Sequence, residues 1–152
     1  MAHSMERLVT LGYEGASVEA VIATLSAAGV GILIDVREAP ISRRPEFAKR
    51  ALASALAEAG IGYHHEPRLG APKPLRDQVK TDGDYQRFFE GYAAHLADNE
   101  DAVASLAAEP THGVALLCYE RDHRVCHRLL IADALATQTA INPQHLKPPR
   151  RR

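Results

Sequence analysis

The sequence predicts an α/β protein, a three-layer sandwich built around a mostly parallel sheet of about five strands. Three observations carry this. Short β-rich apolar runs alternate with helical patterns along the whole chain, as expected for strands joined by crossover helices. "GILIDVR" (31–37) is a continuous apolar run of the kind needed by a strand buried on both faces. Glycines and capping residues punctuate the pattern where each element should begin or end.

Taken in order, "RLVTLGY" (7–13) reads as the first strand, and Gly12 and Gly15 permit a tight turn after it. Ser17 can cap a first helix whose apolar face is Val18, Val21, Ile22 and Leu25, closed by Gly29. After the second strand, "EAPISRRPEF" is a loop with two prolines and two arginines. Phe47, Ala51, Leu52, Ala55 and Leu56 predict a second helix, stopped at Gly60, and "IGYHHE" a third, weaker strand. The stretch 67–83 reads as a long Pro/Gly/Lys loop of the kind that serves as a lid or is mobile.

Asp84 can cap a third helix with Tyr85, Phe88, Phe89, Tyr92 and Leu96 on its core face, followed by a helical piece near 100–108. "GVALLCY" is the fourth strand, and a fourth main helix is expected from about Cys126 to Thr137. "AINPQHL" is the last strand, with Pro143 on an edge or at a break. Residues 7–147 are expected to form a single domain, with 1–6 and 148–152 as disordered ends.

At 152 residues the chain is long enough to bury a substantial core. A formal net charge of -1 argues against an extended nucleic-acid surface or attraction to an anionic membrane. No apolar stretch approaches the ~20 residues needed to span a bilayer, and no membrane partner is expected. Two cysteines make no disulfide framework, so a reduced, cytoplasmic setting is the expectation. Oligomeric state is left open, a homodimer included.

In a parallel sheet, ligands bind beyond the carboxyl ends of the strands. Three strand ends here carry ionisable groups: Tyr13-Glu14, Asp35-Val36-Arg37 and Cys118-Tyr119-Glu120-Arg121. If the sheet is parallel, they converge on one edge. Arg37, Arg43, Arg44, Arg121 and Arg128 could then hold an anion beside a helix N-terminus near Cys126. The plainer alternative is that Arg37 and Arg128 pair with Asp35, Glu14 or Glu120 to pin loops.

Cys118 is either a small buried apolar residue or a thiolate nucleophile. Glu14 and Glu120 are candidate acid–base groups. Tyr13 could stack on a base or merely cover the sheet edge. His127 is a candidate ligand contact or a structural histidine. Cys118 and Cys126, with His123, His127 and His64 or His65, are metal-ligating residue types. Their spacing fits no common zinc pattern, and adjacent side chains on a helix diverge by about 100°. No metal and no cofactor is therefore expected.

"TLGYEG" (10–15), "IDVR" (34–37), "RPEF" (44–47) and "CYERD…CHR" (118–128) resemble, in order and spacing, the family catalogued as domain of unknown function 488. The resemblance runs from Leu8 to about Leu146 and implies a Rossmann-like α/β domain, with no assigned activity. This chain departs from the usual pattern at His123, where proline is common, and at Leu69-Gly70-Ala71, where Leu-Gly-Gly is usual. Cys118 to Arg124 also has the C-x5-R spacing of phosphatases, and "ILIDVR" is similar to rhodanese-type domains. The loop lacks the glycines a phosphate cradle needs.

The reading that follows is a cleft lined by Arg, Glu and Cys that binds a small anion. The ligand would be a nucleotide, a nucleotide derivative or a nucleic-acid end. Glu14, Cys118 and Glu120 would carry any catalysis, while Tyr13, Asp35, Arg37, Arg44, Arg121, His127 and Arg128 would hold the ligand. The alternative is a non-catalytic sensor or interaction module using the same cleft; a thiol redox protein, a phosphatase- or rhodanese-like enzyme, or a zinc site at the Cys/His cluster ranks below both.

Overall fold

The structure, a computed structural model, describes residues 5–152. Its strands are β1 (Arg7–Gly12), β2 (Ile32–Asp35), β3 (Gly62–His65), β4 (Gly113–Cys118) and β5 (Gln144–Leu146). They form one sheet in the order β3-β2-β4-β1-β5, and every neighbouring pair is parallel. The helices are α1 (Val18–Ala27), α2 (Lys49–Glu58), α3 (Lys73–Asp82), α4 (Tyr85–Ala97), α5 (Glu100–Ala107) and α6 (Arg128–Thr139).

Alternation along the strands sorts the core onto two faces. Val9, Leu11, Leu33, Ala115 and Leu117 pack with Val21 and Leu25 of α1 and Leu52 and Leu56 of α2. Leu8, Ile34, Leu116 and Cys118 pack instead with Phe88 and Tyr92 of α4, Val103 and Leu106 of α5, and Ile131 and Leu135 of α6. The result is a three-layer, Rossmann-like α/β arrangement. All six residues of β4 are buried, which suits its central place.

Local capping is as the residues suggest. The Ser17 hydroxyl accepts from the Ala20 N–H at 3.1 Å, and the Asp84 carboxylate from the Arg87 N–H at 3.1 Å. Gly12 is needed for a different reason: a Cβ there would lie 1.7 Å from the Glu120 carbonyl oxygen. The ends of β1 and β4 therefore touch, backbone against backbone. Tyr13 N–H donates to Cys118 O and Glu14 N–H to Tyr119 O, extending the ladder past the strands.

Four expectations are corrected. The stretch 67–83 is no open loop: it holds a single 3-10 turn (Pro67–Leu69) and all of α3. The last long helix begins at Arg128, because Cys126 is extended (φ -126°, ψ 141°) and closes a 3-10 turn over His123–Val125. Tyr85, expected in the core, is 40% exposed, while Phe88 and Tyr92 are buried. Met5, from the stretch set aside as an end, is buried in the core; Met1–Ser4 lie outside the described residues. At the other end Arg150 forms an isolated antiparallel bridge with Ala16, and Arg151 N–H donates to Gly15 O. No helix among the described residues is long and apolar enough to cross a membrane.

Candidate functional site

The strand order has a direct consequence for ligand binding. β4 lies between β1 and β2, yet the chain leaves β4 toward α6 on one face and leaves β1 and β2 toward α1 and α2 on the other. Connections that diverge in this way open a crevice at the carboxyl edge of the sheet. A cleft of about 620 Å³ occupies that position. Its floor includes Cys118, Glu120 and His127. Its walls come from the 37–44 loop, from Arg76, Val79 and Lys80 of α3, and from Tyr85, Phe88 and Tyr119.

The charged residues of the cleft divide by what they already hold. The Arg37 guanidinium forks onto Asp35, with Nε–Oδ1 at 2.8 Å and Nη2–Oδ2 at 2.7 Å, and it also donates to the Tyr13 hydroxyl at 3.2 Å. Tyr63 donates to the same Asp35 carboxylate. Arg37 and Asp35 are both buried, so this is an internal ion pair in the cleft wall, of which only Arg37 lines the cleft. Arg44 donates to Glu46 and to the carbonyls of Tyr13 and Ala16, and its guanidinium lies 4.6 Å from the Phe47 ring centre. Arg76 bridges to Glu38 across the rim at 2.7 Å. Arg43 and Lys80 are exposed, and neither is in a salt bridge among the described residues, although Lys80 acts at longer range on Asp77. The cleft thus carries Arg37, Arg43, Arg44, Arg76 and Lys80 against Glu38 and Glu120 in a chain whose net charge is -1.

The floor concentrates the polar chemistry. The Cys118 thiol donates to Glu120 Oε2 at 3.0 Å, and the Cys126 sulfur approaches Cys118 Sγ to 2.8 Å. His127 Nδ1 stands 3.8 Å from the first sulfur and 3.7 Å from the second. Its Nε2 is 2.7 Å from the Val36 carbonyl oxygen. Burial, with help from Cys126, pushes the Cys118 thiol up to about 12. Burial and the neighbouring Cys118 push the Glu120 carboxyl up to about 7. Burial alone would favour a neutral His127, but Cys118, the Val36 carbonyl and Glu120 outweigh it and raise its affinity for a proton.

Other residues expected at the site are placed elsewhere. Arg128 is fully buried beneath the β1–β4 junction and donates to Glu120 O at 2.6 Å, Arg121 O at 3.3 Å and Thr10 Oγ1 at 3.1 Å. Glu14 accepts from the Arg121 N–H, and the Arg121 side chain donates to Pro148 O; none of Glu14, Arg121 and Arg128 lines the cleft. Tyr13 borders the cleft, but it is buried, with its ring stacked on Phe47 at 4.2 Å between centres. Arg124 pairs with Asp122 at the surface and does not reach the cleft, so the C-x5-R spacing builds no phosphate cradle around Cys118.

Sequence reasoning missed the outer wall. Ile41, Tyr85 and Tyr119 are the exposed large apolar side chains among the described residues, at 76%, 40% and 47% exposure, and all three line this cleft. Tyr119 lay inside the highlighted 118–121 segment, where its aromatic ring was a usable signal. Arg76 and Lys80 were hidden with α3.

A search of curated proteins and a search of solved structures each returned no match. The family model described as "Domain of unknown function DUF488" matches residues 17–135, which takes in β2, β3, β4, the cysteine–histidine floor and most of α6. With the fold and the matched span in agreement, the chain belongs to the DUF488 family.

Proposed function

We propose that the cleft binds a nucleotide or nucleotide derivative, and that Cys118 and Glu120 in its floor are the groups placed to act on it. The observation that carries this reading is the pairing of free cations with exposed aromatic surface around one crevice. Arg43 and Lys80 are available to a phosphate, while Tyr119 and Tyr85 offer ring faces that water covers poorly. A ligand that is anionic at one end and flat and apolar at the other satisfies both. The position at the diverging connections of a parallel sheet supports the same reading. The stacking role expected of Tyr13 passes to Tyr119, whose ring meets the Tyr13 ring edge-on at 5.4 Å.

Calorimetric titration with AMP, ADP, ADP-ribose, adenosine and inorganic phosphate tests it. A nucleotide should bind more tightly than adenosine or phosphate alone. Arg43→Ala combined with Lys80→Ala should weaken it by at least tenfold, since each charge-assisted hydrogen bond is worth about 1.5–3 kcal/mol. No binding by any nucleotide at millimolar concentration, or binding untouched by the double variant, overturns the reading. Glu120→Gln then separates two uses of the cleft. Retained binding with lost turnover marks an enzyme; retained binding with no turnover in either protein marks a sensor.

A further inference from the structure

We propose that Cys118 Sγ, Cys126 Sγ and His127 Nδ1 form a site for one thiophilic divalent cation, zinc being the best fit, with the fourth coordination position opening into the cleft. The three donor atoms lie within 4.8 Å of one another, and all three residues are buried. Zinc with Zn–S of about 2.3 Å and Zn–N of about 2.05 Å in tetrahedral geometry sets its S···N edges at about 3.6 Å. The edges here are 3.7 and 3.8 Å, so one imidazole nitrogen faces both sulfurs equally.

The orientation of the ring is the second, independent observation. A carbonyl oxygen can only accept, so the contact with Val36 O fixes the proton of the neutral ring on Nε2. The Nδ1 lone pair is thereby aimed between Cys118 and Cys126. Metal-bound histidines are commonly held in this way, with the outer nitrogen donating to a carbonyl.

One distance must change. The sulfurs are 2.8 Å apart, and a tetrahedral ion needs about 3.8 Å between them. Cys118 is fixed at the end of β4, whereas Cys126 sits in extended backbone between a 3-10 turn and α6, where its side chain is free of helical constraint. Binding replaces the two thiol protons, which pass to solvent. Two sulfurs and one imidazole select zinc-like ions over magnesium or calcium, which require oxygen. Cys118 and His127 line the cleft and Cys126 does not, so the free position faces the cleft. This site shares Cys118 with the nucleotide reading but rests on none of the observations that carry it, so either can fail alone; with the metal bound, Cys118 acts as its ligand and not as a free thiol.

The test uses the full chain, produced with zinc in the medium and purified under reducing, anaerobic conditions. Elemental analysis should find about one zinc per chain. Replacement by cobalt(II) should give thiolate-to-cobalt charge-transfer absorption. Cys126→Ser should abolish that absorption and weaken zinc binding more than 100-fold, beyond the roughly 10–100-fold cost of outer-shell changes. The Arg43→Ala, Lys80→Ala variant should keep its zinc.

Should Cys126→Ser fail to fold, the wild-type protein still decides. Stripping with a chelator should lower Tm, and one equivalent of zinc should restore it. The proposal is overturned by substoichiometric metal with no zinc-dependent Tm, by charge transfer that survives Cys126→Ser, or by a chain two hydrogens lighter that binds no zinc after anaerobic reduction.

Discussion

Gly12→Ala probes the contact on which the whole cleft is built. The added methyl would stand 1.7 Å from Glu120 O, 2.3 Å from its carbonyl carbon and 2.8 Å from Tyr119 O. All three are backbone atoms, so no side chain can swing aside. The ends of β1 and β4 must separate by more than 1 Å to reach even the 3.0–3.4 Å of the tightest tolerated Cβ contacts. Overpacking of this kind costs about 1–3 kcal/mol. The Glu14 N–H···Tyr119 O bond at 2.9 Å and the Arg128 Nη1···Glu120 O bond at 2.6 Å are stretched with it, at about 1 kcal/mol each. Reduced freedom of the unfolded chain returns about 0.4–1 kcal/mol.

The net is a loss of about 3 kcal/mol, or a fall in Tm of about 6–12 °C for a domain of this size. Urea titration followed by circular dichroism measures it. Gly60→Ala is the control: its φ is 76° but nothing lies within 4 Å of the new methyl, so it should cost about 1–2 kcal/mol from backbone strain alone. A Gly12→Ala protein as stable as the wild type would refute the close approach and the cleft floor derived from it.

Two further perturbations address groups near the cleft. Asp35→Ala leaves the buried Arg37 guanidinium and the Tyr63 hydroxyl without their shared partner and should cost about 3–5 kcal/mol in the same titration; Asp35→Leu with Arg37→Met should recover part of this, and equal damage in both would refute the ion-pair reading. The His123 and His145 rings stack at 3.8 Å, and both resist protonation: burial is the main cause, joined by Arg128 for the first and by His123 and Arg128 for the second. Arg124 and Lys147 act in the same sense on His123, while Asp122 opposes them there and Asp133 opposes at His145. The unfolded chain therefore binds protons first as pH falls through about 6.5, and these rings lose stability on the acid side. The fall in Tm between pH 7.5 and 5.5 should shrink in His123→Asn, and an unchanged fall would show that the stack does not titrate in this range.

Much of the architecture was legible because it is locally encoded. The apolar runs at 31–37 and 113–118 could only be central strands, and Ser17 and Asp84 announced their helices. α3 was illegible for a physical reason: none of its residues is fully buried, so "KPLRDQVKTD" shows no strong apolar face, and only Leu75 and Val79 rest on the core. Its signal was the pairing of prolines at the start with Gly83 in the left-handed conformation at the end. The convergence of three strand ends was anticipated from parallel topology; which groups face the cleft was not. The 119–127 turn decides that, and its 3-10 geometry brings Cys126 and His127 onto one point where a helix would have parted them.

The strand order bears on how the chain comes together. β1 and β2 never touch; each pairs with opposite sides of β4, which arrives about 80 residues after β2. Until 113–118 inserts, the sheet is two separate fragments with unpaired edges, and neither half of the cleft has its partner. Closing such distant contacts is entropically slow and leaves strand edges exposed meanwhile. β4 is thus the keystone in time as well as in space: assembly of the sheet and assembly of the floor, with Cys118 at the tip of that strand, are one event.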